Sequence, residues 1–225
     1  MDCLLRVPGR MVFGRHCRAT LGLPVNRRPT RPPGRHSCHD VDMDDRLAPG
    51  FLFAVPQLLD PNFVQSVVLL VDHTEEGSFG IVLNHETAVP IAALCREQQI
   101  AFAGDPGRKV RRGGPVDPQR GFVLYGDEHA DPDGRRIAGG LGISLSLGTL
   151  GRLCALPRAR FAICLGYAGW GPDQLTTEIS EGAWLTGPVD VALALDADPA
   201  AMWEGGLRAL GIDPAALAPG GTFVA

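Results

Sequence analysis

The stretch from residue 161 to residue 188 constrains the fold more than any other part of this 225-residue chain. Its first residues alternate large apolar side chains (Phe161, Ile163 and Leu165) with alanine and cysteine, a pattern typical of a buried strand. Three glycines follow, and then Pro172 stands where the first turn of a helix accepts proline. The stretch therefore predicts a strand, a glycine-rich turn, a short helix and a second apolar segment.

Short apolar runs bounded by turn residues predict further strands along the chain. Apolar residues at helical spacing predict three more helices, the last with Asp198 as N-cap, Pro199 as first residue and Gly211 as its stop. Strands with interspersed helices place the chain in the α/β (α+β) class. The predicted strands cover 51–58, 67–71, 79–83, 121–125, 143–147 and 189–195, and the predicted helices cover 90–100, 149–156 and 198–210.

Residues 1–46 form an extension in front of a domain that is expected to span residues 47–225. Arginine, proline and glycine dominate the extension, and no helical or strand period persists in it. Such a composition is typical of a disordered segment. Two further interpretations stay open: translation starts at Met43, or the extension is an organellar transit peptide whose prolines oppose an amphipathic helix.

The charge distribution argues against a nucleic-acid partner. The net charge is −4, but residues 1–42 carry eight arginines and three aspartates, +5, so the remainder carries −9. An acidic body of this kind is poorly suited to binding a phosphate backbone. No apolar run approaches the roughly 18 residues of a membrane span, so no membrane partner is predicted. The six cysteines form neither a C-x-x-C motif nor a disulfide framework, which favours a reducing cytoplasm.

Two strand-flanked glycine turns are the places where the backbone can approach a ligand closely. They lie at Gly113-Gly114 and at 166–171, and we expect them to meet in the fold and share one pocket wall. Arg112 is the nearby charge suited to a carboxylate or phosphate; the alternative is that the glycines are purely structural. The candidate ligand-binding residues are Asn84, Arg112, Gly113, Gly114, Gly166, Tyr167 and Trp170.

Residues 108–112 form the basic cluster of the acidic body and directly precede the first glycine turn. The cluster has two interpretations: an anion site, or a solvated edge strand whose charges block further strand pairing. His73 and His85 flank a predicted hairpin and could share a metal, but no third ligand has a readable spacing. No metal site and no cofactor are therefore predicted.

Cys164 is the candidate for redox chemistry. It precedes Gly166, where a helix N-terminus would lower the pKa of the thiol and make it reactive. The alternative is an inert cysteine buried inside a strand. No G-x-S-x-G motif occurs and no Cys–His pair is forced together by spacing, so no catalytic residue is predicted.

Five blocks in register resemble the AlgH/YqgE family, and they read APGFLFAVPQLLDPNF (48–63), GIVLN (80–84), GGPVDPQRGFVLY (113–125), LGYAGWGPDQL (165–175) and GAWLTGP (182–188). The resemblance runs from Ala48 to about Leu210 and, because members begin just before the first block, supports a start at Met43. It implies a single cytosolic bacterial domain whose mixed sheet curls into a partial barrel with helices outside. Members often carry glycine where Asp173 stands and glutamate where Thr176 stands, and Asp173 disfavours an anion at that helix start.

Members of the family are sometimes labelled putative transcriptional regulators, although their biochemical activity is not settled. Together with the acidic body, the resemblance predicts a non-enzymatic cytoplasmic regulatory protein that binds a small molecule or a protein without contacting DNA directly. Two alternatives stay open: a hydrolase or transferase acting on a small anion between the Gly113 and Gly166 turns, and a thiol redox sensor acting through Cys164. The ligand, the partner and the oligomeric state are left open.

Overall fold

The strand at the start of the organising stretch is the centre of the sheet. A computed structural model describes residues 47–129 and 131–217. The strands in these residues are β1 (Gly50–Ala54), β2 (Val67–Thr74), β3 (Gly77–Val82), β4 (Glu86–Pro90), β5 (Lys109–Arg112), β6 (Val116–Gly126), β7 (Arg135–Arg136), β8 (Leu141–Ser144), β9 (Phe161–Trp170) and β10 (Trp184–Gly187). The helices are α1 (Ile91–Glu97), α2 (Leu147–Cys154), α3 (Gln174–Ser180), α4 (Val191–Leu195) and α5 (Pro199–Ala209).

The sheet runs in the order β10-β1-β2-β3-β9-β6-β8-β7, and each of these neighbouring pairs is antiparallel. β5 forms a branch that pairs antiparallel with β4 and parallel with β9. The sheet curls into a half-barrel, and the chain is a single mixed α+β domain. The partial barrel implied by the family resemblance is therefore confirmed, whereas the predicted disordered extension, residues 1–46, lies outside the described residues.

Alternation along β9 divides the apolar core between the two faces of the sheet. Ala162 and Cys164 join a cluster that includes Met202, Trp203 and Leu207 of α5. Phe161 and Ile163, on the other face, join a cluster that includes residues of α1 and α2. The helices thus cover both faces of the central strand, and burial of both faces explains the continuous apolar character that identified it.

The predicted strand over 189–195 is wrong, because Val191–Leu195 is helix α4. Asp190, which interrupts the apolar run, is the N-cap of this helix: its side chain accepts hydrogen bonds from the backbone N–H groups of Ala192 and Leu193. The other capping prediction is confirmed, since Asp198 caps α5 with Pro199 as its first residue.

The predicted glycine turn after Leu165 is also corrected. β9 continues through Gly166 to Trp170 and ends only there. Gly166 has φ +73°, a left-handed conformation that glycine adopts without strain, so the strand bends without leaving the sheet. α3 begins at Gln174, later than Pro172 suggested, with Asp173 as a left-handed N-cap (φ 57°).

The interpretation of residues 108–112 as a solvated edge strand is wrong. β5 has a partner on each side, with Arg111 opposite Glu86 of β4 and opposite Cys164 of β9. A strand paired on both sides has no open edge for its charges to protect. The basic side chains of β5 therefore call for another explanation.

Candidate functional site

The two glycine segments meet, as the sequence predicts, and they meet through backbone. The N–H of Gly113 donates to the carbonyl of Leu165 at 2.6 Å. A Cβ on Gly113 would lie 2.3 Å from the carbonyl oxygen of Gly166, and one on Gly114 would lie 2.2 Å from that of Tyr167. Such distances exclude any side chain, so these glycines allow two chain segments to touch. A ligand role for them stays a prediction.

Asn84 and Arg112, two of the candidate ligand-binding residues, have partners within the domain. The Asn84 amide accepts from the N–H of Val67 at 2.8 Å and donates to the carbonyl of Gln65 at 2.8 Å. Arg112 is exposed and donates to Nδ1 of His85 at 3.2 Å. Burial lowers the pKa of His85, and the charge of Arg112 adds to that effect, so the neutral ring can accept this bond. Asn84 thus holds two backbone segments together.

The two aromatic candidates belong to packed ring clusters. Trp170 is buried, and its Nε1 donates to Glu178 at 3.0 Å; Trp184 donates to the same carboxylate at 2.8 Å. Tyr167 is half-buried, with ring centroids 5.2 Å from Phe79 and 6.1 Å from Phe122. The Phe122–Tyr167 and Trp170–Trp184 pairs are edge-to-face, a geometry that stabilises a fold.

Cys164 is fully buried in β9, and burial raises the pKa of its thiol to about 11. No helix begins beside it, because β9 continues to Trp170. At neutral pH the group is a protonated thiol, which is neither nucleophilic nor readily oxidised. The structural features on which the redox interpretation depends are therefore missing around this cysteine.

A cavity of about 290 Å³ lies where the parallel strands β5 and β9 begin, beside the connection from α4 to α5. Three basic side chains of the predicted cluster line it, those of Arg108, Lys109 and Arg111. Two carboxylates, Glu86 and Asp196, also line it. The remaining lining residues are apolar; Ile91 and Phe161 are fully buried, so the apolar surface comes from Leu195, Ala197 and Pro199.

Arg111 is the buried charge of this cavity, with only 7% of its surface exposed. Its Nη1 donates to the carbonyl of Ala194 at 2.8 Å, near the end of α4. Its other N–H groups have no acceptor, and its guanidinium has no ion pair, among the residues that the structure describes. Burial lowers the pKa of Arg111, and the charge of Glu86 opposes part of that effect. A guanidinium remains charged nonetheless, and a buried charge requires compensation.

Arg108 lies at the same end of β5 and is held by backbone. It donates to the carbonyls of Phe161 and Ala159, and its guanidinium lies 4.3 Å from the centroid of the Phe161 ring. Burial lowers the pKa of Arg108, and repulsion from the charge of Arg111 adds to that effect. Within residues 47–129 and 131–217, Arg108 too has no ion pair. The two guanidinium groups therefore form one region of positive charge that has no ion-pair partner among the described residues, although the nearby charges of Asp105 and Glu86 favour their charged forms.

The remaining charges around the cavity are already paired. Lys109 lies 3.2 Å from Glu86, and Arg160 forms a two-point ion pair with Asp196, with N–O distances of 2.9 and 2.5 Å. Each of these pairs is neutral. The charge available to a ligand is consequently that of Arg108 and Arg111.

The sequence pointed to this segment and to Arg112, which is exposed, whereas Arg108, Lys109 and Arg111 are the basic residues that line the cavity. Alternation along β5 puts Lys109 and Arg111 on one face and Val110 and Arg112 on the other. The alternation along β5 does not tell which of its two faces packs against α4. That contact joins Arg111 to Ala194, which lies 83 residues away in the chain. The usable sequence signal was the basic cluster itself, since three of its members line the cavity.

The family model described as AlgH-like (DUF179) matches residues 51–215. The chain belongs to the AlgH-like family. A UPF0301 protein of Myxococcus xanthus is 45% identical over 177 residues, which cover 77% of this chain and 96% of that protein. The solution structure of the AlgH protein from Pseudomonas aeruginosa is 35% identical with a TM-score of 0.59, covering 77% of this chain and 94% of that one.

A crystal structure of the protein DIP2367 from Corynebacterium diphtheriae shares the fold at 23% identity, with a TM-score of 0.61 over 79% of this chain and 92% of that one. The family resemblance read from the five sequence blocks is confirmed. The family description and the names of these relatives state no activity, so the function of this chain is argued from its own site.

In the part of the chain that the structure describes, no helix is long and apolar enough to cross a membrane. The same residues bring together no group of three or more His, Cys, Asp or Glu side chains that could hold a metal. His73 and His85 have separate neighbours: His73 lies 2.6 Å from the Ser78 hydroxyl, and His85 lies 3.2 Å from the carbonyl of Val64.

Proposed function

We propose that this member of the AlgH-like family is a non-enzymatic cytoplasmic binding protein that takes up a small anionic ligand in the cavity beside β5. The observation that carries the proposal is Arg111, a buried guanidinium that lines a cavity and has no carboxylate partner among the described residues. Buried charges in proteins are normally paired, and an anionic ligand would supply the missing partner. Arg108 adds a second positive charge at the same place.

The chemistry of the cavity wall favours binding over catalysis. Its carboxylates, Glu86 and Asp196, are engaged in ion pairs, and the described lining residues include no serine, histidine or cysteine. A group with an available base or nucleophile is what acyl or phosphoryl transfer would require. We therefore assign the protein a regulatory role exerted through ligand occupancy, without direct contact to DNA.

The test compares two arginines near the two ends of β5: Arg108, which lines the cavity, and Arg112, which is exposed and does not line it. Inorganic phosphate, titrated into the full-length protein, should raise the melting temperature, because a ligand that binds only the folded state stabilises it. Arg108→Gln should remove that rise. Arg112→Gln is the matched control, since it removes the same charge from an exposed position outside the cavity lining, and it should retain the rise.

Circular dichroism of both variants without phosphate establishes that they are folded before the comparison is made. The opposite pattern, a rise lost in Arg112→Gln and kept in Arg108→Gln, would place the anion at the Gly113 and Gly166 segments instead. No rise for wild-type protein with phosphate, sulfate or a small carboxylate would refute anion binding.

A further inference from the structure

We infer that the ligand is a small organic phosphate monoester bound as its dianion, with the phosphate between Arg108 and Arg111 and the organic part against the apolar wall. This inference rests on the proposed function and specifies its ligand. It follows from three properties of the cavity: its charge, the chemical type of its cations, and its size and apolar lining.

The charge of the site matches two negative charges. Lys109 with Glu86 and Arg160 with Asp196 form neutral pairs at its rim. Arg108 and Arg111 are left without ion pairs among the described residues. A monoanion would compensate one of these two guanidinium groups, whereas a dianion compensates both.

The geometry favours a compact anion over two separated carboxylates. Arg108 and Arg111 are three residues apart on one segment and line the same cavity, and the charge of one disfavours the charge of the other. Each is fixed by backbone carbonyls, Arg108 by Ala159 and Phe161 and Arg111 by Ala194. Two guanidinium groups lining one cavity suit a single phosphate group, whose oxygens can accept several charge-assisted hydrogen bonds at once.

The size and lining of the cavity define the rest of the ligand. Its volume of about 290 Å³ is at the lower limit of ligand pockets, roughly 300 Å³, which favours a compact molecule. Leu195, Ala197 and Pro199 offer a small apolar surface beside the charged groups, and inorganic phosphate would leave that surface without contact. An ester with a small apolar body uses both parts of the cavity.

Phenyl phosphate and phenyl sulfate provide the test, because they share a shape but carry two charges and one charge at pH 7.5. Isothermal titration calorimetry with the full-length protein should show phenyl phosphate binding at least about tenfold more tightly, one charge pair being worth about 1.4 kcal/mol or more. Inorganic phosphate should bind more weakly than phenyl phosphate. Arg108→Gln should remove the preference for phosphate over sulfate, and Arg112→Gln should keep it.

The pH dependence separates the dianion from the monoanion. A phosphate monoester has its second pKa near about 6, so lowering the pH from 7.5 to 5 should weaken phenyl phosphate binding roughly five- to tenfold. Phenyl sulfate does not titrate in this range and reports any change in the protein itself. The titratable and charged groups that line the cavity are Glu86, Arg108, Lys109, Arg111 and Asp196, and no histidine is among the described lining residues.

The outcomes distinguish the ligand class from the proposed function. Equal affinities for phenyl phosphate and phenyl sulfate, or an affinity for phenyl phosphate that does not change with pH, would overturn the inference that the ligand binds as a dianion. The proposal that the protein binds an anion would stand. Inorganic phosphate binding as tightly as phenyl phosphate would overturn the inference that the ligand carries an organic group. Failure of all three anions to bind would refute the proposed function together with this inference.

Discussion

Replacing Gly166 by alanine tests whether the glycines of the central strand serve packing. The matched control is Gly182→Ala, because both glycines are left-handed, with φ +73° and +79°. A Cβ at Gly182 would meet no atom within 4 Å, whereas one at Gly166 would lie 2.6 Å from the carbonyl oxygen of Gly114 and 2.9 Å from that of Val116. The two substitutions therefore share the conformational effect and differ in the steric one.

The left-handed conformation costs alanine roughly 1–2 kcal/mol, which sets the expected loss for Gly182→Ala at about 1 kcal/mol after the benefit from the unfolded state. Overpacking adds typically about 1–3 kcal/mol, and backbone atoms at Gly114 and Val116 cannot rotate away. Gly166→Ala should thus be the more destabilising substitution by about 1–3 kcal/mol. Urea denaturation followed by tryptophan fluorescence measures both. Equal losses would refute the packing role and return the Gly166 segment to consideration as a ligand site.

Three further predictions concern the core, the central cysteine and the extension. Trp184→Ala should lower the free energy of unfolding by about 3–5 kcal/mol because the ring is 3% exposed; a loss below about 1 kcal/mol would show that the ring is dispensable. Cys164 should react slowly with a soluble thiol reagent in the native state, since burial raises its pKa to about 11; mass spectrometry that finds it labelled rapidly, with Cys95 and Cys154 unlabelled, would contradict this. A chain starting at Met43 should have the same melting temperature as the full-length protein. A melting temperature lower by several degrees, equivalent to about 1 kcal/mol, would show that the preceding residues stabilise the fold.

Much of the fold was predictable because local patterns specify it. The alternation of Phe161, Ile163 and Leu165 identified the central strand, and Asp198 with Pro199 identified the start of the last helix. The error at α4 arose from a short apolar run, which suits a strand and a helix equally. The cap formed by Asp190 and the packing of Ala194 and Leu195 in the core favour the helix, and the apolar period of so short a run does not reveal that packing.

The candidate site was less predictable because it depends on contacts between distant residues. The sequence pointed to the basic cluster and to the two glycine segments, and the two glycine segments do meet in the structure. It could not show that α4 covers the face of β5 that carries Arg111 and leaves Arg112 exposed. Nor could it show that backbone carbonyl groups of the facing segment occupy the space beside these glycines.

The most direct measurement of the central claim is a crystal structure of the full-length protein with phenyl phosphate. The cavity beside β5 should hold the ligand, with phosphate oxygens about 2.7–3.2 Å from guanidinium nitrogens of both Arg108 and Arg111 and the phenyl ring against Leu195 and Pro199. Phenyl phosphate bound instead beside Arg112, at the segments of Gly113 and Gly166, would contradict the claim.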